Sequence, residues 1–194
     1  MDAGNLLTIL EKQHRPTEDI ALITKAYEYA ARMHAGQKRK SGEPYIIHPL
    51  ATAQRIAETR LDTPTIVAAL LHDVCEDSSQ TLKEIQKEFG PEVSFLVDGV
   101  TKLDRIRYKG AERTAESLRK MFIAIAEDIR IVLLKLTDRL HNMETLEYVV
   151  KEKQPRIALE TLEIYAPLAY RLGMHELSGK LEDLAFPYVY PEKY

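Results

Sequence analysis

The stretch that follows Pro64, TIVAALLHDVCED, constrains this chain most. It is apolar on nearly every side, so as a helix it has no face to give to water and belongs at the centre of a domain. Its surroundings keep a helical period. Thr17 to Arg32 carries Ile20, Ile23, Tyr27 and Ala30 as one stripe, with Gly36 as the stop. Thr81 and Glu84 have capping-box spacing ahead of Ile85 and Phe89, and Gly90 ends that helix. Pro49 and Pro64 stand where helices can begin, because the first turn does not need the missing amide. The spacing predicts three longer helices: Ala111 to Asp128, Ile129 to Val150 and Pro155 to Leu172. IRIVLLKLT has the aliphatic run of a strand, yet Ile129, Val132, Leu136, Leu140, Met143 and Val150 keep near-helical spacing beyond it. No two alternating runs are joined by a hairpin turn. The expectation is an all-α fold in one domain over 1–194, with its core at about 17–186 and a proline-broken tail over 187–194.

A length of 194 residues suits one such unit, and 45% hydrophobic with 29% charged residues is a globular balance. With 27 basic and 30 acidic residues the net charge is -3, which disfavours a chain-wide nucleic-acid binder. One cysteine excludes an internal disulfide framework and a multi-cysteine zinc site. No apolar run approaches the roughly 18 residues of a membrane span, and MDAGNLLTILEKQ lacks the layout of a signal peptide. The sequence therefore predicts a cytosolic protein with neither a membrane nor a nucleic-acid partner.

The informative polar residues are those in apolar company. His72 and Asp73 interrupt the central helix, and Glu76 and Asp77 follow four residues after each, so an unbroken helix would stack each pair. Asp138 ends the apolar stretch IVLLKLT and precedes Arg139, His141 and Asn142; His48 precedes Pro49. Taken singly, a histidine on an apolar face is ordinarily a hydrogen-bonded core residue, and an aspartate beside an arginine a salt bridge. Burying an ionised carboxylate nevertheless costs several kcal/mol unless it is paired or bound to a metal. Two imidazoles and two carboxylates form a mixed set that suits manganese, iron or zinc, with positions left for water and substrate.

The ordered pattern His48, His72-Asp73, Asp138 resembles the HD-domain metal-dependent phosphohydrolases. HAGQKRKSGEPYIIHP, AALLHDVCEDS, LVDGVTKL, KLTDRLHNMETL and ETLEIYAPLAYRLGM are similar, in order, to the hydrolase domain of the RelA/SpoT family, from about His34 onward. That resemblance implies a helical hydrolase of the alarmone (p)ppGpp, releasing pyrophosphate from its 3′ position to leave GDP or GTP. It implies Mn²⁺ held by His48, His72, Asp73 and Asp138, with the pair Glu76 and Asp77 activating or orienting the attacking water. It assigns Arg39, Lys40 and Ser41 to nucleotide contacts, with Asn142 and Thr145 near the base or sugar. Arginine suits that task, since its guanidinium stacks on a base or forks onto phosphate oxygens, and Gly42 would let the loop turn tightly.

Lys102, Arg105, Arg107, Lys109 and Arg113 form a second basic region open to pyrophosphate contact, and Arg119 and Lys120 have a similar claim. An exposed polar loop explains them equally well. His141 suits a supporting hydrogen bond better than ligation. His14, His34 and His175 read as structural or surface residues, and Cys75 as a packing residue. Thr137, Glu144, Ser117 and Cys75 depart from the common family pattern without removing a ligand; Glu144 would bring negative charge near the nucleotide pocket. Two other readings stay open: the same site acting on another phosphorylated nucleotide, such as a dNTP or NADPH, and an alarmone-binding module without turnover. The chain ends near Tyr194, where bifunctional relatives continue into a synthetase domain, so hydrolase activity alone is expected.

Overall fold

The computed structural model describes residues 3–78, 80–104 and 111–194, with side chains at 104 and 111–117 outside the description. Helix α4, Thr63–Leu71, is the hub the sequence calls for: Ile66 to Leu71 are all fully buried. Asp62 caps it by accepting from the Thr65 amide at 3.0 Å, and Pro64 sits in the first turn, where no amide partner is missed. Around α4 pack α2 (Thr17–Met33), α3 (Ile47–Glu58), α7 (Pro91–Asp104) and α9 (Ile129–Glu144). Helix α6, Leu82–Phe89, precedes α7 in the chain and packs on it; it starts on the predicted capping box of Thr81 and Glu84 and stops at Gly90, φ +90°. Helix α8, Ala111–Glu127, leads into α9, where Asp128 accepts from the Arg130 amide. Among the described residues there is no strand, only an isolated bridge between Lys38 and Pro44. The fold is all-α.

Several boundaries differ from expectation. The hub helix does not run on through His72 and Asp73: these two form a turn, and a separate four-residue helix, α5, Val74–Asp77, follows. The predicted helix from Ile129 stops at Glu144 rather than Val150, and short 3₁₀ turns at Leu146–Tyr148 and Lys151–Lys153 follow. Pro155 to Leu172 is helical but not uniform: α10, Gln154–Glu160, widens into a π turn over Thr161–Tyr165 before α11, Ala166–Arg171. Pro49, as expected, lies in the first turn of its helix, as the third residue of α3.

Both ends exceed the expected core. The N-terminal helix α1, Gly4–Lys12, lies before residue 17, yet its Leu6 and Leu10 are fully buried. The expected tail begins too early: α12, His175–Val189, passes through Pro187. Pro187 has no amide to give the carbonyl four residues before it, and the helix ends two residues later.

Candidate functional site

The suspected ligands come from three places. His48 lies in the first turn of α3, His72 and Asp73 form the turn that breaks the hub, and Asp138 sits on α9. Their polar atoms converge. Asp138 Oδ1 is 3.0 Å from His48 Nε2 and 3.9 Å from His72 Nε2. Asp73 Oδ1 is 3.2 Å from His72 Nε2, and its Oδ2 is 3.5 Å from His48 Nε2. His48, His72 and Asp138 are buried, with ligand atoms all within 4.8 Å of one another, which makes a possible metal-binding triad; Asp73 borders it. Such separations are those of atoms that can share one ion at about 2 Å each.

Tautomers suit this purpose. His72 Nδ1 lies 2.8 Å from the Ala69 carbonyl, which can only accept, so the proton sits on Nδ1 and Nε2 faces the carboxylates. That Nε2 is buried and has no hydrogen-bond partner among the described residues. Burial works against a charge on this ring, but the Asp73 and Asp138 carboxylates raise the His72 pKa overall, so a divalent cation binding here would take the place of the Nε2 proton. His48 Nδ1 lies 2.8 Å from His141 Nδ1. Burial and then the His48, Arg39 and Arg55 charges push the His141 pKa down to about 3, so its neutral ring can accept from His48. This is the supporting role expected of His141. The donor set fits a divalent cation.

The carboxylates are kept ionised against their burial. Burial raises the pKa of Asp138, but the Lys135 charge, the His48 hydrogen bond and the nearby imidazoles overcome it and hold that pKa well below the ordinary range. Lys135 Nζ donates to Asp138 Oδ2 and Asn142 Nδ2 to Oδ1, each at 2.7 Å. Burial likewise opposes Asp73, and the His72 and His48 charges, with a hydrogen bond from Tyr45, lower its pKa. Lys135 and Tyr45 escaped the sequence reading. Lys135 is three residues from Asp138 on the same helix face, a signal that was available; nothing local ties Tyr45 to Asp73.

A cavity of about 610 Å³ opens beside these groups. Arg39, Lys40 and Ser41 line it on one side and Asn142 and Thr145 on another, with His48, Asp73 and Asp138 beside them. Arg39 Nη2 donates to Asn142 Oδ1 at 3.1 Å and Thr145 Oγ1 at 3.2 Å, and the loop carrying it turns at Gly42, φ +87°. Ser41 Oγ donates to Glu43. Glu76 and Asp77 are exposed at the cavity wall, on the short helix that follows the turn of His72 and Asp73, and the Asp77 amide donates to the Asp73 carbonyl at 2.9 Å. Lys135, Arg139 and Arg156 add cationic lining that the sequence reading did not assign.

Glu144 does not line this cavity. Arg55 holds it with two bonds of 2.6 and 2.8 Å, so its charge is neutralised away from the nucleotide groups. Lys102 pairs with Asp98 and also lies outside the cavity lining, while Arg119 borders a separate surface depression with Phe122 and Ile123. Arg105, Arg107 and Lys109 lie outside the described residues, as do the side chains of Arg113 and Ser117. Cys75 is half-buried and packs against the core.

Comparison with known proteins decides the family, since an HD domain match spans residues 26–175. The chain belongs to the HD domain family. This HD domain is 54% identical over 172 residues to the guanosine-3′,5′-bis(diphosphate) 3′-pyrophosphohydrolase of Aquifex aeolicus, covering 89% of the chain and 24% of that relative. It is 52% identical over 186 residues to the GTP pyrophosphokinase of Myxococcus xanthus, covering 94% and 25%. With the bifunctional (p)ppGpp synthase/hydrolase SpoT of Escherichia coli K12 the identity is 48% over 189 residues, covering 97% and 27%. The chain thus spans about a quarter of the length of the curated relatives it matches. A solved structure of a metazoan ortholog of SpoT, described as hydrolyzing ppGpp and acting in starvation responses, matches with a TM-score of 0.67 and 26% identity, covering 88% of this chain and 95% of that one. The resemblance to RelA/SpoT proteins read from the motifs is borne out. Among the described residues no helix is long and apolar enough to cross a membrane.

Proposed function

We propose that this HD domain hydrolyses the 3′-pyrophosphate of (p)ppGpp, with His48, His72, Asp73 and Asp138 holding one divalent cation, Mn²⁺ in this reading. The observation that carries it is the convergence of donor atoms from His48, His72 and Asp138 within 4.8 Å of one another, with Asp73 beside them, at the edge of a cation-lined cavity. The Aquifex and Escherichia coli relatives, named for this chemistry, support the choice of substrate. A bound divalent ion supplies a lowered pKa for water and a positive charge for a phosphoryl oxygen.

The chain's own residues do the rest. Arg39 and Lys40 bind phosphate or stack on the base, and Ser41, Asn142 and Thr145 offer hydrogen bonds to the nucleoside. Glu76 and Asp77, at the cavity wall, take the proton of the attacking water as a pair. Its oxygen forms a bond to the phosphorus attached to the ribose 3′ oxygen, the bond between phosphorus and that oxygen breaks, and the 3′ oxygen takes up a proton. GDP or GTP and pyrophosphate leave. The partner is a small guanine nucleotide, and the setting in this reading is the cytosol.

Purified protein supplied with Mn²⁺ is expected to convert ppGpp to GDP and pyrophosphate, and His72→Ala to abolish turnover while still binding the nucleotide. Identifying the products by anion-exchange chromatography checks this. Intact ppGpp after incubation with metal-loaded wild type would refute the activity; faster turnover of a dNTP or of NADPH, compared by kcat/KM, would move the substrate elsewhere.

A further inference from the structure

The loop between α2 and α3 does more than carry cations. Tyr45 Oη donates to Asp73 Oδ2 at 2.9 Å, and its ring stacks on His34 with centroids 4.6 Å apart and planes 21° apart. His34 is only 3% exposed, and its Nδ1 lies 2.8 Å from Gln37 Oε1. Gln37 in turn donates from Nε2 to the Asp77 backbone carbonyl at 2.7 Å, while its own carbonyl accepts from the Tyr45 amide at 3.0 Å. These contacts close a ring from the loop to the short segment 73–77. Both ends of that segment, Asp73 and Asp77, are tied to it.

The segment needs such a brace. Helix α5 has four residues, far below the length at which a helix holds itself together. It begins at a turn, so the hub helix does not fix its orientation by continuous hydrogen bonding. We propose that Tyr45 is a positioning residue: its phenol O–H, steadied by the His34 stack, sets the Asp73 carboxylate for the cation and, with Gln37, holds the acidic segment against the cavity. The proposal rests on the metal-dependent reading above and adds a residue that reading did not use. A donor on Oδ2 turns Oδ1 toward His72 Nε2, 3.2 Å away, before any ion arrives. A carboxylate so held loses less rotamer freedom on binding.

Tyr45→Phe removes the hydroxyl and keeps the stack. Calorimetric titration of the metal-free chain with Mn²⁺ is expected to show about 10- to 100-fold weaker binding in the variant. Steady-state assays at saturating Mn²⁺ should show a lower kcat with KM for ppGpp within about twofold, a split that general loosening of the pocket would not give. His34→Ala, which leaves the hydroxyl but removes its support, should weaken Mn²⁺ binding in the same direction by less. Folded Tyr45→Phe with wild-type Mn²⁺ affinity and kcat overturns the proposal. Should that variant fail to fold, unchanged Mn²⁺ affinity in His34→Ala overturns it instead. A wild type that binds Mn²⁺ but leaves ppGpp intact sinks only the substrate reading, and the Mn²⁺ titrations still decide Tyr45. A wild type that takes up no Mn²⁺ overturns both.

Discussion

A guanidinium offers five N–H donors in one plane, and Arg39 directs Nη2 at both Asn142 Oδ1 and Thr145 Oγ1. Asn142 in turn donates to Asp138 Oδ1, so one hydrogen-bond chain runs from the loop to a proposed metal ligand. Arg39→Ala is expected to lower kcat/KM for ppGpp by about 10- to 100-fold, the loss of one or two hydrogen bonds to a charged group, mostly through KM. Arg39→Lys should not restore it, because an ammonium has neither the plane nor the fork. Steady-state kinetics of the two variants against wild type check both statements. The roles of Arg39, Asn142 and Thr145 were expected only from family resemblance. That their side chains already touch depends on the loop folding back between Lys38 and Pro44, a long-range event no local pattern states.

At the scale of elements, two helices meet where one residue has no side chain. A Cβ at Gly99 on α7 would collide with the side chain of Ile131 on α9, which is itself fully buried. Gly99→Ala should therefore destabilise the fold by about 1–3 kcal/mol through overpacking, despite alanine's better helix propensity. Urea denaturation measures the loss; an increase in stability would show that Ile131 can move aside. The expected helix starting at Ile129 is present, but its end is not at Val150, because apolar spacing continues through Leu146 while the backbone leaves the helix at Thr145. Periodicity reports which residues face inward, and a 3₁₀ turn can bury Leu146 just as well. The break at His72 and Asp73 was hidden for the same reason. No glycine or proline marks it, and both residues keep near-helical dihedrals.

Over the whole molecule, Arg130 joins three elements: it bonds Asp62 at the start of α4, Glu92 on α7 and Asp128 at the start of α9. Burial works against the Asp62 charge, but hydrogen bonds from Thr65 and Arg130 win and lower its pKa; the Arg130 hydrogen bond is the main cause for Asp128. A carboxylate with a lowered folded pKa contributes stability that is present above its unfolded value and lost as pH falls through the folded one. Stability measured by urea titration should therefore drop as pH falls from above 3.8, the ordinary value of both groups, toward their lower folded values. In Arg130→Met that drop should be shallower, since the cation is absent at every pH; an equally steep drop would place the acid sensitivity elsewhere. The sequence by itself determined the all-α class, the burial of the stretch after Pro64 and the capping box at Thr81, because period, caps and breakers act between residues within a few turns of one another. It also named His48, His72, Asp73 and Asp138 as suspects, since ionisable groups in apolar surroundings need partners. Only the tertiary structure decided that these four meet, that Lys135 and Tyr45 stand behind them, and that Glu144 turns to Arg55 instead of the cavity. Such pairings join side chains from different helices, and their geometry is fixed by packing around the hub rather than by anything the neighbouring residues prefer.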